Sequence, residues 1–464
     1  MELKLVFYAD DFTGATDALE FMATAGATTV LFLKTPTPSE LNDFGSLDAI
    51  GVAGMTRSMS PSEIHKTLQV DFSKIASLHP VHIHYKVCST FDSSPEIGNI
   101  GVAVSQGLRQ FKNSHVPIMV AAPDLGRYVL FGQLFAQMGI GSNGEVYRID
   151  KHPSMSKHPS TPSKEADLRD HLALQGEFET GLIDILDLEK PLEELLDKVA
   201  RLSKNHEVIF YDGLYLRQMV RLGAILEHSK IPGKPFFSVG SSGIERAIGD
   251  YWQQQGVLRS KKDWETIDPV ASLLVLCGSV SPITSQQIDY ALESGFQQVP
   301  IDPNFLVEDL QRSIQKYSEL ILAYIQAGKS VIVHTAKGPK DPRLTKVNTI
   351  AKGLGWDVSR RKRELPKRFG ELLGQIAISV IQQIPLQRLV IAGGDTSSYT
   401  ARTMDIRAVQ MIAPIVKGAP LCRVYAKGAP VDGMQINLKG GQVGEKDYFV
   451  ALENGTLKNK NKLP

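Results

Sequence analysis

Short apolar runs alternate with amphipathic stretches along nearly the whole chain. Strand-like runs fall at residues 4–9, 29–33, 49–53, 82–87, 118–122, 181–185, 208–211 and 236–239. Helical spacing marks the intervening stretches 61–77, 192–203 and 214–228. This β–α alternation predicts a largely parallel sheet with helices on both faces. The polar stretch 255–269, which includes GVLRSKKDWETIDP, interrupts the pattern and reads as a linker. A second series follows, with strands at 272–277, 298–301, 330–334 and 388–392 and helices at 283–293, 310–326 and 369–383. After Asp405 the pattern changes to short strand-like runs at 409–416, 420–425 and 435–438. The expected fold class is therefore α/β: two α/β domains, each a largely parallel sheet flanked by helices, with a ligand cleft between them. The boundaries are 1–256 for the first, 257–267 for a linker and 268–464 for the second.

Composition narrows the class. A chain of 464 residues suits two to three domains at about 150 residues each. The 51 basic and 50 acidic residues leave a net charge of +1, so no global field draws the protein to nucleic acid or membrane. The basic run Arg360, Arg361, Lys362, Arg363 reads as solvated surface, with a phosphate contact as the alternative. Cys88, Cys277 and Cys422 lie far apart with no CxxC spacing. That disfavours a zinc site or disulfide framework and fits a reducing cytoplasm. The chain enters a strand at once, without a signal-peptide pattern, and no apolar run approaches the roughly 18 residues that span a bilayer. The polar tail 458–464 is expected to fray.

The candidate chemistry lies in the turns after the strands. LKLVFYADDFTGATD (3–17) ends a strand in Asp10 and Asp11 and continues into a helix through Thr13 and Gly14. Adjacent carboxylates repel, so they point to a partner such as a polyol hydroxyl, a metal or a cation. The competing reading is one Asp as helix cap and the other solvated. YKVCSTFDSSPEIGNIG (85–101) crowds Lys86, Ser89, Thr90 and Asp92 after another strand. APDLGR (122–127) adds Asp124 and Arg127, KHPSMSKHPSTP (151–162) adds His158 and Thr161, and VGSSG (239–243) adds Ser241 and Ser242. All five turns are expected to follow strands of one sheet and so to line one carboxyl edge, where open α/β sheets bind ligands. A cation for a carboxylate, with hydroxyls and acids for OH groups, suits a small polyhydroxylated acid. Simple capping is the alternative at each turn. Cys88 raises a nucleophilic thiol against a small buried residue.

In the second half, LVIAGGDTSSYTARTM (389–404) passes from a strand through Gly393 and Gly394 into Asp395 and Thr396 at a helix start. Glycines admit a ligand close to the backbone, and free N–H groups with hydroxyls make a phosphate cradle. Asp395 is placed to meet a metal-phosphate or to take a hydroxyl proton, or simply caps the helix. LCGSVSPITSQQI (276–288) offers Ser279 at a similar turn, and LKGGQVGEKDYF (438–449) offers Gly440 and Gly441, as a nucleotide loop or a plain β-turn. Neither a Walker A loop nor the GxGxxG dinucleotide fingerprint is present.

Taken in order, ADDFTGATDAL, KVCSTFDSSPEIGNIG, HPSTP, GSSG, CGSVSPITSQQI, AGGDTS and KGGQVGEKDYF resemble the four-carbon acid sugar kinases across residues 3–449. The CSTFDSSP form is similar to the 3-oxo-tetronate branch. The chain departs from that branch in PEIGNIG, one residue longer than PEGNIG, and in APDLGR in place of a longer APAFP-type segment. These departures leave a branched acid such as 3-oxo-isoapionate open. The resemblance implies ATP-dependent phosphorylation of a terminal hydroxyl on a small sugar acid. Separately, no metal-ligand spacing is evident in the sequence, so any magnesium is expected to arrive with ATP. It implies that Asp10, Asp11, Lys86, Ser89, Thr90, Asp124, Arg127, His158 and Thr161 bind the acid. It implies that Ser279, Gly393, Gly394, Asp395, Thr396, Gly440 and Gly441 bind the nucleotide. Asp395 and Asp11 are rival general bases, and a homodimer is an open expectation. An NAD-dependent sugar-acid dehydrogenase and a non-catalytic sugar-acid-binding protein are the alternatives.

Overall fold

In the computed structural model, which describes residues 3–138, 144–158 and 160–456, the chain divides into units 1–262 and 263–464. In the first unit the apolar runs become strands β1 (Leu5–Ala9), β2 (Thr29–Phe32), β3 (Ala49–Ala53), β4 (His82–Lys86) and β5 (Val116–Met119). Then come β6 (Arg127–Leu130), β7 (Gln133–Gln137), β8 (Val146–Arg148), β9 (Thr180–Ile183), β10 (Val208–Tyr211) and β11 (Phe236–Gly240). The main sheet has the order β2-β3-β1-β4-β11-β5-β10-β9 and every pair in it is parallel. β1 and β4 are neighbours in register, Ala9 opposite Lys86. Chain leaving β1 returns on the β3 side, while chain leaving β4 continues to β5 on the other. This divergence opens a crevice at their carboxyl ends. β1, β3 and β4 are buried along their whole length, as a sheet covered on both faces requires.

One expectation is corrected here. The loop 151–162 does not follow a strand of the parallel sheet. It follows β8, the edge of a separate antiparallel sheet ordered β6-β7-β8. That loop is also less solvated than its polarity suggested, since His152 and Thr161 are 5% and 3% exposed. Pro159 of the HPSTP motif and the tail expected to fray lie outside the described residues. Buried Asp212, just past β10, ties the small sheet to the large one. Its carboxylate accepts from the N–H groups of Phe131, Gly132 and Ile185, and Val129 and Gly213 form a bridge beside it.

The second unit contains β12 (Leu274–Cys277), β13 (Gln297–Pro300), β14 (Val331–His334), β15 (Arg388–Ala392), β16 (Ala408–Val416), β17 (Ala419–Tyr425) and β18 (Gln435–Lys439). Their order is β13-β14-β12-β15-β18-β17-β16. β13, β14, β12, β15 and β18 are parallel, whereas β17 and β16 run antiparallel at one side. Cys277, Ile288, Val390, Ala392, Tyr448 and Phe449 belong to its apolar core. The helix expected at 369–383 runs instead over Val358–Ile381. Pro366 lies inside it, and Asp357 caps the earlier start, its side chain accepting from Arg360 N at 2.7 Å. The basic run lies on the first turns of this helix. No helix among the described residues is long and apolar enough to cross a membrane.

Replacing Asp212 with Ala leaves three inward N–H groups without their acceptor. The expected loss is about 3 kcal/mol in urea unfolding, at roughly 1–3 kcal/mol per orphaned buried group with partial rescue by water. A loss below about 0.5 kcal/mol would show that the three contacts do not anchor the small sheet.

Candidate functional site

β1 delivers Asp10 and Asp11 to the crevice, and β3 delivers a residue that the sequence reading passed over. Arg57 lies in the short turn Thr56–Ser58 beyond β3. Its Nη2 and Nε donate to the two oxygens of Asp10 at 2.9 and 3.2 Å, and its Nη1 donates to Asp11 Oδ2 at 2.9 Å. One guanidinium thus holds both acids. The other oxygen of Asp11 caps the helix Phe12–Ala25 by accepting from Gly14 N at 2.8 Å. A cation therefore partners both acids and Asp11 is also the cap, but Asp10, 3% exposed, is not the solvated acid of the competing reading. Burial pushes the Asp10 carboxyl up to about 6, against the pull of Arg57 and with the push of Asp11. Burial opposes the charge of Arg57, but Asp10 and Asp11 outweigh it and hold the guanidinium protonated. The signal for Arg57 was available: a basic residue in the turn after another buried strand of the same sheet.

Lys86 ends β4, 3% exposed. Its ammonium lies 3.9 Å from Asp17 Oδ2. Burial works against that charge, while Asp17 and then Asp11 raise its pKa. Gly14 makes room for it, because a Cβ there would stand 2.6 Å from Lys86 Nζ and 2.6 Å from Asp11 Oδ1. Nearby Glu245 is fully buried, and burial pushes its carboxyl up to about 8. It is therefore neutral at pH 7 and does not compete with Asp17 for the ammonium. His84, 3.6 Å from Glu245, is held neutral by burial, its pKa near 3.

The other expected acid-site residues divide. Ser89 and Thr90 follow Lys86 directly, and Thr90 Oγ1 donates to Asp92 at 2.7 Å. Cys88 is no thiolate: burial pushes its pKa up to about 11, and Sγ lies 2.9 Å from Thr90 Oγ1. Asp124 is ion-paired with Arg246 at 2.8 Å. Arg127 Nη1 donates to the carbonyls of Leu125, Gly126 and Gln137 at 2.9–3.2 Å, which ties its guanidinium to the backbone. His158 accepts at Nδ1 from Thr161 N at 3.1 Å and meets Thr161 Oγ1 at 2.9 Å. Those two hold one loop together, in the small sheet's part of the unit.

In the second unit, β12, β15 and β18 are adjacent and parallel, so the turns bearing Ser279, Gly393–Thr396 and Gly440–Gly441 share one carboxyl edge. Gly393 has φ +148°, and its N–H donates to Lys439 O at 2.9 Å. A side chain there would be strained and would press on Ser397 Oγ at 3.2 Å. Ser397 Oγ is itself buried without a hydrogen-bond partner among the described residues. Ser279 Oγ accepts from Ser281 N at 3.2 Å, Ser281 caps the helix Pro282–Glu293, and Thr284 Oγ1 donates to Gly441 O at 2.8 Å. Gly394 and Asp395 are exposed at the start of the helix Asp395–Thr403, with Thr396 half-buried behind them. Glycine at the turn, N–H groups at two helix starts and an unused hydroxyl together suit an anionic ligand.

A family model described as a sugar-binding N-terminal domain matches residues 5–248, and one described as a nucleotide-binding C-terminal domain matches residues 274–449. The chain belongs to the four-carbon acid sugar kinase family. Membership makes it a sugar-acid kinase. A 3-oxo-isoapionate kinase of Paraburkholderia graminis is 37% identical, with 98% of this chain and 95% of the relative aligned. A 3-oxo-tetronate kinase of Pseudomonas fluorescens is 28% identical over 95% and 94%. A solved Salmonella typhimurium structure shares the fold at TM-score 0.74 and 23% identity, covering 97% of this chain and 98% of that one. A Haemophilus influenzae structure does so at 0.71 and 21%, covering 97% and 100%.

Replacing Arg57 with Met should cost about 3 kcal/mol at pH 8, the lower end of what breaking a buried pair costs. A carboxyl with a raised folded pKa adds stability at low pH and loses it as pH rises through the folded value. For Asp10 that loss runs from the ordinary aspartate value of 3.8 up through about 6. Removing Arg57 raises the folded pKa further, so the stability gap between variant and wild type should shrink from about pH 8 to about pH 5. Equal gaps in urea melts at both pH values would contradict the charge-pairing account.

Proposed function

We propose that this chain transfers the terminal phosphoryl group of ATP to a hydroxyl of a 3-oxo sugar acid. The observation that carries the reading is Lys86, a buried ammonium at the carboxyl edge whose ion-pair partner Asp17 is 3.9 Å away. A substrate carboxylate would be its natural closer partner, with Asp10, Asp11, Ser89 and Thr90 beside it for the hydroxyls. Ser279, Gly393, Gly394, Thr396, Gly440 and Gly441 would hold the nucleotide. Phosphoryl transfer asks mainly for positioning and charge neutralisation. Magnesium would come with the nucleotide and add neutralising charge. The described residues contain no group of three or more His, Cys, Asp or Glu assembled for a metal.

Within the substrate class, a branched acid of the 3-oxo-isoapionate kind is favoured. The 37% identity to a kinase of that name supports it. Linear 3-oxo-tetronate, to whose kinases the chain is 24–28% identical, is the second reading. Three free cysteines favour work in a reducing cytoplasm.

A coupled ADP-release assay with magnesium-ATP against both 3-oxo acids and the unoxidised tetronates tests this. The expected result is acid-dependent release, strongest with the branched acid. Release strongest with linear 3-oxo-tetronate would decide for the second reading, and no acid-dependent release would reject both. For the general base, Asp395→Asn and Asp11→Asn are compared. The true base should lose about a hundredfold or more in kcat. Losses under tenfold in both would discard both residues.

A further inference from the structure

Lys439 closes β18 one residue before the glycine pair, and it is 1% exposed. Among the described residues no carboxylate pairs with it. Its ammonium donates to Gly440 O at 3.0 Å and to Thr284 Oγ1 at 3.2 Å, and Thr284 passes the contact on to Gly441 O at 2.8 Å. The rings of Tyr448 and Phe449 lie 5.7 and 5.9 Å from Nζ and supply cation–π contacts but no negative charge. Its own carbonyl receives Gly393 N, so the residue belongs to both glycine turns at once. A buried ammonium without an acid is costly unless something anionic arrives. Buried Asp10 and Lys86 and half-buried Arg57 all have charged partners, whereas among the described residues Lys439 has no carboxylate to balance its charge, next to the unused Ser397 hydroxyl's turn.

We infer that Lys439 is a positioning residue for the polyphosphate: its unbalanced charge attracts the anion while its hydrogen bonds fasten the Gly440–Gly441 loop to Thr284. This rests on the nucleotide site proposed above. Burial pushes the Lys439 ammonium down to about 8. The titratable group facing it is the Cys277 thiol of β12, itself raised by burial and so neutral. The helix Pro282–Glu293 presents neutral Thr284 and Gln287. The helix Tyr448–Asn454 presents Phe449 and Tyr448, whose hydroxyl donates to Asn437. Glu445, Lys446 and Asp447 of the loop are exposed. Binding an anion raises the ammonium pKa, so protonation and polyphosphate binding reinforce each other, and affinity falls as pH rises through the unliganded value.

The test is calorimetry of the full chain with ADP and with adenosine, each at about pH 7.5 and about pH 9.5, a range in which the phosphates, with a last pKa near 6, are already ionised. Wild-type ADP affinity should drop about tenfold across this range, while adenosine affinity stays within about twofold. Lys439→Arg should bind ADP well at both pH values, and Cys277→Ala should keep the wild-type drop. Lys439→Met should bind ADP about tenfold more weakly at the lower pH and show no drop. A pH-independent wild-type ADP affinity would overturn the inference. So would equal losses of ADP and adenosine in Lys439→Met, which mean loop packing alone. Failure of wild type to bind ADP at either pH would instead reject the nucleotide site. If Lys439→Met does not fold, the wild-type and Lys439→Arg profiles still decide.

Discussion

The first unit turns on one guanidinium held between two adjacent carboxylates. A parallel sheet brings the ends of β3, β1 and β4 side by side, and each ends in charge: Arg57, Asp10 with Asp11, and Lys86. Without Arg57 the two acids would repel each other in a buried place, and the turn that begins the helix Phe12–Ala25 would lose its fixed point. With it, Asp11 can serve the helix with one oxygen and the guanidinium with the other. Lys86 is thereby left to Asp17 at a distance too long for a direct hydrogen bond. Two cations, Arg57 and Lys86, thus face three carboxylates, Asp10, Asp11 and Asp17, and only the Lys86 pair is held at long range.

The two edges solve opposite problems. In the first unit, carboxylates and cations are interleaved, and burial moves the groups that must stay neutral, Glu245 and His84, away from charge. In the second unit the backbone does most of the work. Gly393, the helix starts at Pro282 and Asp395 and the Gly440–Gly441 loop bring N–H groups to one edge, and buried Lys439 adds a positive charge. This division fits a polyol acid on one side, recognised hydroxyl by hydroxyl, and a polyphosphate on the other, recognised by its charge.

Much of this was legible in the sequence because buried parallel strands announce themselves as apolar runs and their following turns carry the polar residues. Asp10, Asp11 and Lys86 come together as expected, as do Ser279, Gly393 and Gly441. The failures have specific causes. Arg57 and Lys439 sit singly in their turns, without the doubled or clustered character that drew attention elsewhere, and their meaning depends on strand order. Sequence also does not show the other partners of two expected acid ligands: Arg127 donates to backbone carbonyls and Asp124 pairs with Arg246. The loop after β8 reads as part of the same edge because the three short strands β6, β7 and β8 are not among the strand-like runs, so nothing separates it from the parallel sheet. The first half of the long helix Val358–Ile381 is polar and basic, so its apolar spacing begins late although Asp357 caps it earlier.

The most direct measurement is a crystal structure of the protein with the branched 3-oxo acid and ADP bound. The acid carboxylate should lie within hydrogen-bond distance of Lys86 Nζ, with its hydroxyls at the Asp10–Asp11–Arg57 group. An acid bound away from this edge, with Lys86 still facing only Asp17, would contradict the account.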